Sequence, residues 1–262
     1  MRKLLLFLFV SIVLFACQTH QGDIGDDQEK DSVLVDSTDL EELDLYEEVV
    51  IPESADQLFD DFFYTFINDV SFQKERTDKG VEFDATQRGS AENAFVVVYE
   101  RDEDLVLQKD TTLDRVGVEL INWNDDGVRK YIFNRVSGKW RLTEVKEDEM
   151  NNSPNASFYV FLKDFLTDSL YCRESIKFPL ELQIYSYEDE EIIDTSLDWE
   201  DWKALCSELP DMRQAMLNVD YGQTLISQNR KAIQLKSLNN NTSIIFYFVF
   251  NDNRWQLMRL RS

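Results

Sequence analysis

The chain has 262 residues, 43% apolar, 13% aromatic and 30% charged, with a formal charge of −24. Eighteen Phe, ten Tyr and five Trp exclude a disordered chain, while eight Gly and four Pro exclude a collagen-like or low-complexity one. Fifty-one acids against 27 bases argue against nucleic acid as a partner, because a phosphate backbone needs a basic face, and the single histidine, His20, removes most histidine-based catalysis and metal sites.

Arg2 and Lys3 precede an apolar run from Leu4 to Phe15. A basic start and about a dozen apolar residues read as a secretory signal, too short for a spanning helix. The run closes in Leu14-Phe15-Ala16-Cys17, which resembles a bacterial lipoprotein signal. That resemblance implies a signal peptide over 1–16, lipid attachment at Cys17, and a protein held on a membrane of the cell envelope, on its periplasmic side or at the cell surface. Several acyl chains, at about 0.8 kcal/mol per buried CH2, make a stable anchor.

An acidic stretch follows. Residues 18–56 hold fourteen acids and one base, Lys30. The net −13 of that segment equals that of all of 57–262. Such a composition buries too little apolar surface to fold, and its like charges extend it. Residues 17–53 are therefore expected to be a flexible tether, with a reach on the order of 35 Å. Asp23, Asp26, Asp27 and Glu29 resemble the acidic surface-export signals of Bacteroidetes-type lipoproteins, and Asp31-Ser32-Val33 and Asp36-Ser37-Thr38 resemble their three-residue O-glycosylation signal.

The folded part opens at Ser54, which with Gln57 fits a capping box. Leu58, Phe59, Phe62, Phe63, Phe66 and Ile67 then form one apolar helix face. This pattern returns 99 positions later without a gap: Phe59, Phe62, Phe63, Phe66, Ile67, Asp69 and Phe72 align with Phe158, Phe161, Leu162, Phe165, Leu166, Asp168 and Tyr171. The ends match too, Lys139-Trp140-Arg141-Leu142 with Arg254-Trp255-Gln256-Leu257. Two similar units of near a hundred residues, 54–149 and 150–262, are expected, with Asn151-Asn152-Ser153-Pro154 at the junction.

In the first unit, 115–123, 128–136 and 139–145 read as strands, with turns at Asp126-Gly127 and Ser137-Gly138. In the second, 223–227, 231–238, 244–250 and 254–260 do, and a helix from Ser196 or Asp198 carries Trp199, Trp202, Leu205 and Leu209. The corresponding region 95–107 is ambiguous, since Phe95 to Tyr99 has strand propensity. The order predicts an α+β fold of two tandem cone-like domains, each a curved antiparallel sheet packed on N-terminal helices.

The aromatic helix ending Phe165-Leu166-Thr167-Asp168, the passage through Ile176-Lys177-Phe178-Pro179-Leu180 and the closing Lys139-Trp140-Arg141-Leu142 resemble the nuclear-transport-factor-two-like fold. The chain is similar to an uncharacterised family of Bacteroidetes-type lipoproteins carrying two such domains, over about residues 54–262. The first unit departs from it, because 77–83 lacks the Phe-Pro-Leu of the second. The resemblance implies no established activity. Enzymes of this fold work inside the cone, which makes Asp69 and Asp168 the candidate general bases of an isomerase or hydratase reading. A turn or cap role accounts equally for an aspartate at the end of an apolar helix face, and weighs more.

Phe62, Phe66, Phe161, Phe165, Trp140 and Trp255 could line an apolar cavity or simply be core. Glu188 to Glu191 lacks the glycine of a calcium loop and reads as a solvated loop. Cys172 and Cys206 lie 34 positions apart, and either a disulfide or two buried free thiols fits. No phosphate loop, CxxC, HExxH or serine elbow is present, and no cofactor or metal is called for. The leading expectation is non-catalytic binding or scaffolding of a small apolar ligand, a glycan or a protein partner; a structural role in an envelope complex ranks second, and the enzyme third.

Overall fold

The computed structural model describes residues 56–84, 94–186, 190–227, 229–237 and 243–262. All belong to one compact unit, Val50–Ser262. The expected signal peptide over 1–16, Cys17, the expected tether over 17–53 and Ser54 lie outside the described residues.

The aromatic spacing yields the helices it predicts. α1 (Phe59–Asn68) buries Phe59, Phe62, Phe63, Phe66 and Ile67, and α2 (Val70–Glu75) follows at once. α1 starts later than the Ser54 expectation, with Leu58 at its N-cap and no side-chain cap. The reason lies at Asp56, which would sit in the first turn of a longer helix. Its carboxylate is instead held 2.6 and 2.9 Å from the Arg76 guanidinium and accepts the Trp140 N–H at 3.1 Å. α3 (Ala156–Thr167) and α4 (Ser169–Glu174) repeat the pair in the second half.

The strands are β1 (Ala94–Tyr99), β2 (Arg115–Asn122), β3 (Gly127–Val136), β4 (Lys139–Glu149), β5 (Ile176–Ser186), β6 (Glu191–Leu197), β7 (Ala215–Asp220), β8 (Arg230–Ser237), β9 (Ser243–Asn251) and β10 (Arg254–Arg261). α5 (Trp199–Glu208) lies between β6 and β7, and Asp198 caps it in a capping box with Asp201. The ten strands form one sheet in the order β4-β3-β2-β7-β1-β8-β9-β10-β5-β6.

That order corrects the picture of two side-by-side sheets. β7, from the second half, pairs antiparallel with β2 of the first, and β1, from the first half, pairs antiparallel with β8 of the second. The two exchanged strands meet in parallel, with Val96 opposite Asn218. Because β1 alternates, Phe95, Val97 and Tyr99 enter the core under α1, while Ala94, Val96 and Val98 enter the core under α3. The halves therefore place their helices on opposite faces of a shared sheet, and 149/150 is no boundary between separate bodies.

The cores themselves are duplicated in detail. Phe59 lies 5.4 Å from Phe133 and 5.2 Å from Trp140; Phe158 lies 5.3 Å from Phe248 and 4.9 Å from Trp255. Phe66 meets Phe133 at 89° and Phe165 meets Phe248 at 87°. Edge-on aromatic packing of this kind adds about 1 kcal/mol per pair beyond area burial. The first half supplies no counterpart of the β5–β6 hairpin among the described residues. A single parallel bridge, Thr77 to Leu142, stands where Ile176 pairs with Leu257.

Two further expectations change. Residues 223–227 are not a strand; the strand is β7, a few residues earlier. The Gln223 side chain turns inward to donate to Val98 O at 2.9 Å, and the amides of Ile226 and Ser227 donate to the Glu100 carboxylate. Amides committed to a carboxylate cannot join a ladder. The ambiguous 95–107 region resolves as β1 followed by a 3-10 helix over Asp102–Lys109.

Candidate functional site

Asp69 and Asp168 occupy matching positions and do the same work. Asp69 accepts the amides of Ser71 and Phe72 at 2.8 and 3.0 Å, and Asp168 accepts those of Leu170 and Tyr171 at 2.8 and 3.0 Å. Each is the N-cap of the short second helix, α2 or α4, and each is exposed. Their recurrence reflects a repeated chain turn, not a pocket carboxylate. Phe62, Phe66, Phe161, Phe165, Trp140 and Trp255 are buried core residues. The rings fill the space between helix and sheet on both faces. Of the acidic run, Glu188 and Asp189 lie outside the described residues, and Glu190 and Glu191 are exposed. No group of three or more potential ligands for a metal ion occurs among the described residues.

Cys172 on α4 is buried and Cys206 on α5 is exposed, both as free thiols. Burial raises the Cys172 thiol to about 11. Desolvation and the neighbouring Cys172 sulfur raise Cys206 to about 12.

A polar cluster that sequence reading missed sits where the exchanged strands meet. The Asn218 amide donates to Glu119 Oε2 at 2.9 Å, and its carbonyl accepts the Val98 N–H at 3.0 Å. The Tyr159 hydroxyl, from α3, donates to the same Glu119 oxygen at 3.1 Å. Lys130 donates to Glu119 at 3.2 Å and to Asp220 at 3.1 Å. Its stem passes over Gly117, where a Cβ would stand 2.9 Å from Lys130 Cε, so a larger residue there would make the Lys130 side chain shift. Burial, then the Glu119 charge, pushes the Tyr159 phenol far above its ordinary range, so it stays a proton donor. Burial pulls the Lys130 ammonium down, but Glu119 and Asp220 more than offset this and hold it above its usual range. Every carboxylate oxygen that faces a donor here is already paired, which makes the cluster a lock between β1, β2, β7 and α3 rather than a base awaiting substrate. A lone Asn in the apolar run of β7 was the one trace of it in the sequence.

The surface differs at the far end of the sheet. There β5 and β6 project as a hairpin in which Tyr185 faces Ile192 and Ile184 faces Ile193. β6 is the last strand in the order, so its outer edge has no strand partner among the described residues. Ile192 is 62% exposed, Tyr185 45% and Ile193 39%. The opposite edge, β4, carries Glu144, Lys146, Glu147, Asp148 and Glu149 along its outer half, the charged dress of a protected edge. Nearby, a shallow groove is lined by Arg230, Tyr247 and Arg259, with the Arg259 guanidinium 4.3 Å above the Tyr247 ring.

A mixed α+β chain with one large sheet and few helices, packed as described, is of the nuclear-transport-factor-two-like class. It is similar to the crystal structure of an NTF2-like protein from Bacteroides fragilis NCTC 9343, at 29% identity and a TM-score of 0.69, covering 80% of this chain and 98% of that one. The model of the family described as Domain of unknown function (DUF4348) matches residues 37–262, and the chain belongs to that family. None of the functionally curated proteins matches.

Proposed function

We propose that this is a lipid-anchored protein of the bacterial cell envelope that docks a protein partner through the β5–β6 hairpin, without catalysis. In this reading residues 1–16 are a signal peptide, Cys17 carries the lipid, and 17–53 hold two NTF2-like modules, fused by strand exchange, away from the membrane. The observation that carries docking is the pair of exposed isoleucines, Ile192 and Ile193, on the edge strand β6, where the opposite edge carries a run of charges. The rings of both helix-to-sheet spaces are buried core, which favours a protein partner at the surface over a small apolar ligand. A structural place in an envelope complex is the same surface used permanently.

The test compares the full chain with Ile192→Lys/Ile193→Lys after crosslinking in intact envelopes. The expected result is one dominant crosslinked species, reduced at least ~10-fold in the variant, in keeping with the loss of an apolar interface anchor, with melting unchanged. Equal crosslinking of both proteins, or none of either, refutes docking at β6. Anchoring is read separately by palmitate labelling, which Cys17→Ala should abolish; labelling that persists refutes Cys17 as the attachment site.

A further inference from the structure

The two edges of the sheet end differently. At β4 the chain supplies some cover of its own: the Leu142 N–H donates to Arg76 O at 2.8 Å and Leu142 O accepts the Asp78 N–H at 2.9 Å, on either side of the Thr77 bridge. At β6 no such segment occurs among the described residues. The direction of the β6 backbone groups follows from β5. The Tyr185 N–H donates to Ser262 O at 3.2 Å and Gln183 O accepts the Ser262 N–H at 2.9 Å, so Gln183 and Tyr185 turn their backbone groups toward the β10 side. Leu182, Ile184 and Ser186 therefore turn theirs toward β6, where they face Thr195, Ile193 and Glu191. The alternate residues Ile192, Asp194 and Ser196 are left with their N–H and C=O groups directed outward, at a repeat of about 6.8 Å. The β5–β6 register runs without a bulge, whereas β3–β4 and β9–β10 each carry one. β6 also has no Lys and no Pro, two residues that keep an edge from pairing.

Its charges are of one sign. Residues 188–197 hold five acids, Glu188, Asp189, Glu190, Glu191 and Asp194, and no base. Asp194 is exposed and oriented by the Gln183 side-chain amide at 3.0 Å. A second copy laid antiparallel on β6 never gives Asp194 an opposite charge. A two-fold axis through Asp194 sets it against itself, one through Ile192 sets it against Glu190, and one through Ile193 sets it against Ile192. Facing like charges destabilise a strand pair and facing opposite charges stabilise it, so the edge selects a basic strand over its own copy. We propose, resting on docking at β6, that the occupant is an extended strand of the partner protein that adds antiparallel to the sheet. It takes the outward groups of Ile192, Asp194 and Ser196 in main-chain hydrogen bonds, sets apolar side chains beside Ile192 and Ile193, and sets Lys or Arg opposite Asp194 and the acids of the hairpin tip.

The test follows backbone amide exchange on the labelled full chain with an excess of the peptide Thr-Thr-Lys-Val-Val-Lys-Lys, which in antiparallel register meets Ser196 through Glu190. Exchange at Ile192, Asp194 and Ser196 should slow at least ~10-fold, and the matching peptide with Glu for each Lys should leave it unchanged. No slowing at these three amides overturns the proposal. Equal slowing by both peptides overturns the basic partner, and slowing that grows with protein concentration alone shows a second copy instead. A separate arm repeats crosslinking in intact envelopes with Ser196→Pro, which removes one outward N–H where an edge tolerates proline and leaves both isoleucines in place. The crosslinked species should fall as it does in Ile192→Lys/Ile193→Lys, with melting unchanged. A species kept in Ser196→Pro but lost in the lysine variant leaves docking standing and overturns strand addition. If the native chain gives no species, docking at β6 falls on that result, and the exchange data decide for or against strand addition on their own.

Discussion

Phe133→Ala should cost about 4 kcal/mol, the upper range for removing a fully buried aromatic. Phe133 is the ring that all of α1 rests on, within 5.1 to 5.8 Å of Phe59, Phe62, Phe63 and Phe66. Phe248→Ala in the second half should cost a similar amount, because Phe248 receives Phe158, Phe161 and Phe165 in the same way. Strand exchange adds a condition on how the loss is distributed. β1 and β7 belong to both cores at once, so damage under α1 reaches the far face through a two-residue-period strand with no neutral side. Urea unfolding of either variant should show one transition with a lowered midpoint and an unchanged slope. Two separated transitions, only one of them shifted, would show that the halves unfold independently.

Lys231→Met should be comparably severe, about 4 kcal/mol, because it strands a buried carboxylate. Lys231 and Glu100 lie 2.5 Å apart with side chains only 4% and 5% exposed. Burial by itself raises the Glu100 carboxyl, but the Lys231 ammonium and the amides of Ser227 and Ile226 outweigh it and hold the group below its usual 4.5. A depressed carboxyl stabilises the fold above the unfolded value and ceases to do so as pH falls through the folded one. The stability gap between the native chain and Glu100→Gln should therefore be full above about pH 5 and close on acidification. Equilibrium unfolding of both proteins from pH 7 down to pH 3 reads this directly. A gap that widens in acid would contradict the assignment. Glu100→Met/Lys231→Met should recover part of the single-variant loss, since no charge is then left buried.

Local signals carried much of this fold. The i, i+3, i+4 rings announced α1 and α3, Asp198 announced α5, and Asp126-Gly127 and Ser137-Gly138 announced the turns of the first meander. The duplication was legible because the same rings must meet the same sheet residues in each half. Strand exchange was not, because pairing β2 with β7 across about a hundred residues leaves no mark on either strand alone. β7 was also hidden by its burial on both faces, which erases alternation, while Gln223 to Ser227 shows strand-like residues whose amides are claimed by Glu100. The weightier reading of Asp69 and Asp168 as caps holds, while the surface of β5 and β6 was not foreseen, for a related reason. Repetition of Asp69 at Asp168 marks what both halves need, which is a helix cap, whereas the exposed Ile192 and Ile193 of β6 occur once and so escaped a reading built on repeats.

The exchange of β1 and β7 underlies the shared sheet, the opposed helices and the solitary hairpin edge. Cross-strand backbone NOEs on the labelled protein test it most directly. The account predicts contacts between Val118 and Val219 and between Val97 and Gln234, the facing residues of β2–β7 and β1–β8. Contacts of β1 with β2 and of β7 with β8 in their place would restore two separate sheets and contradict it.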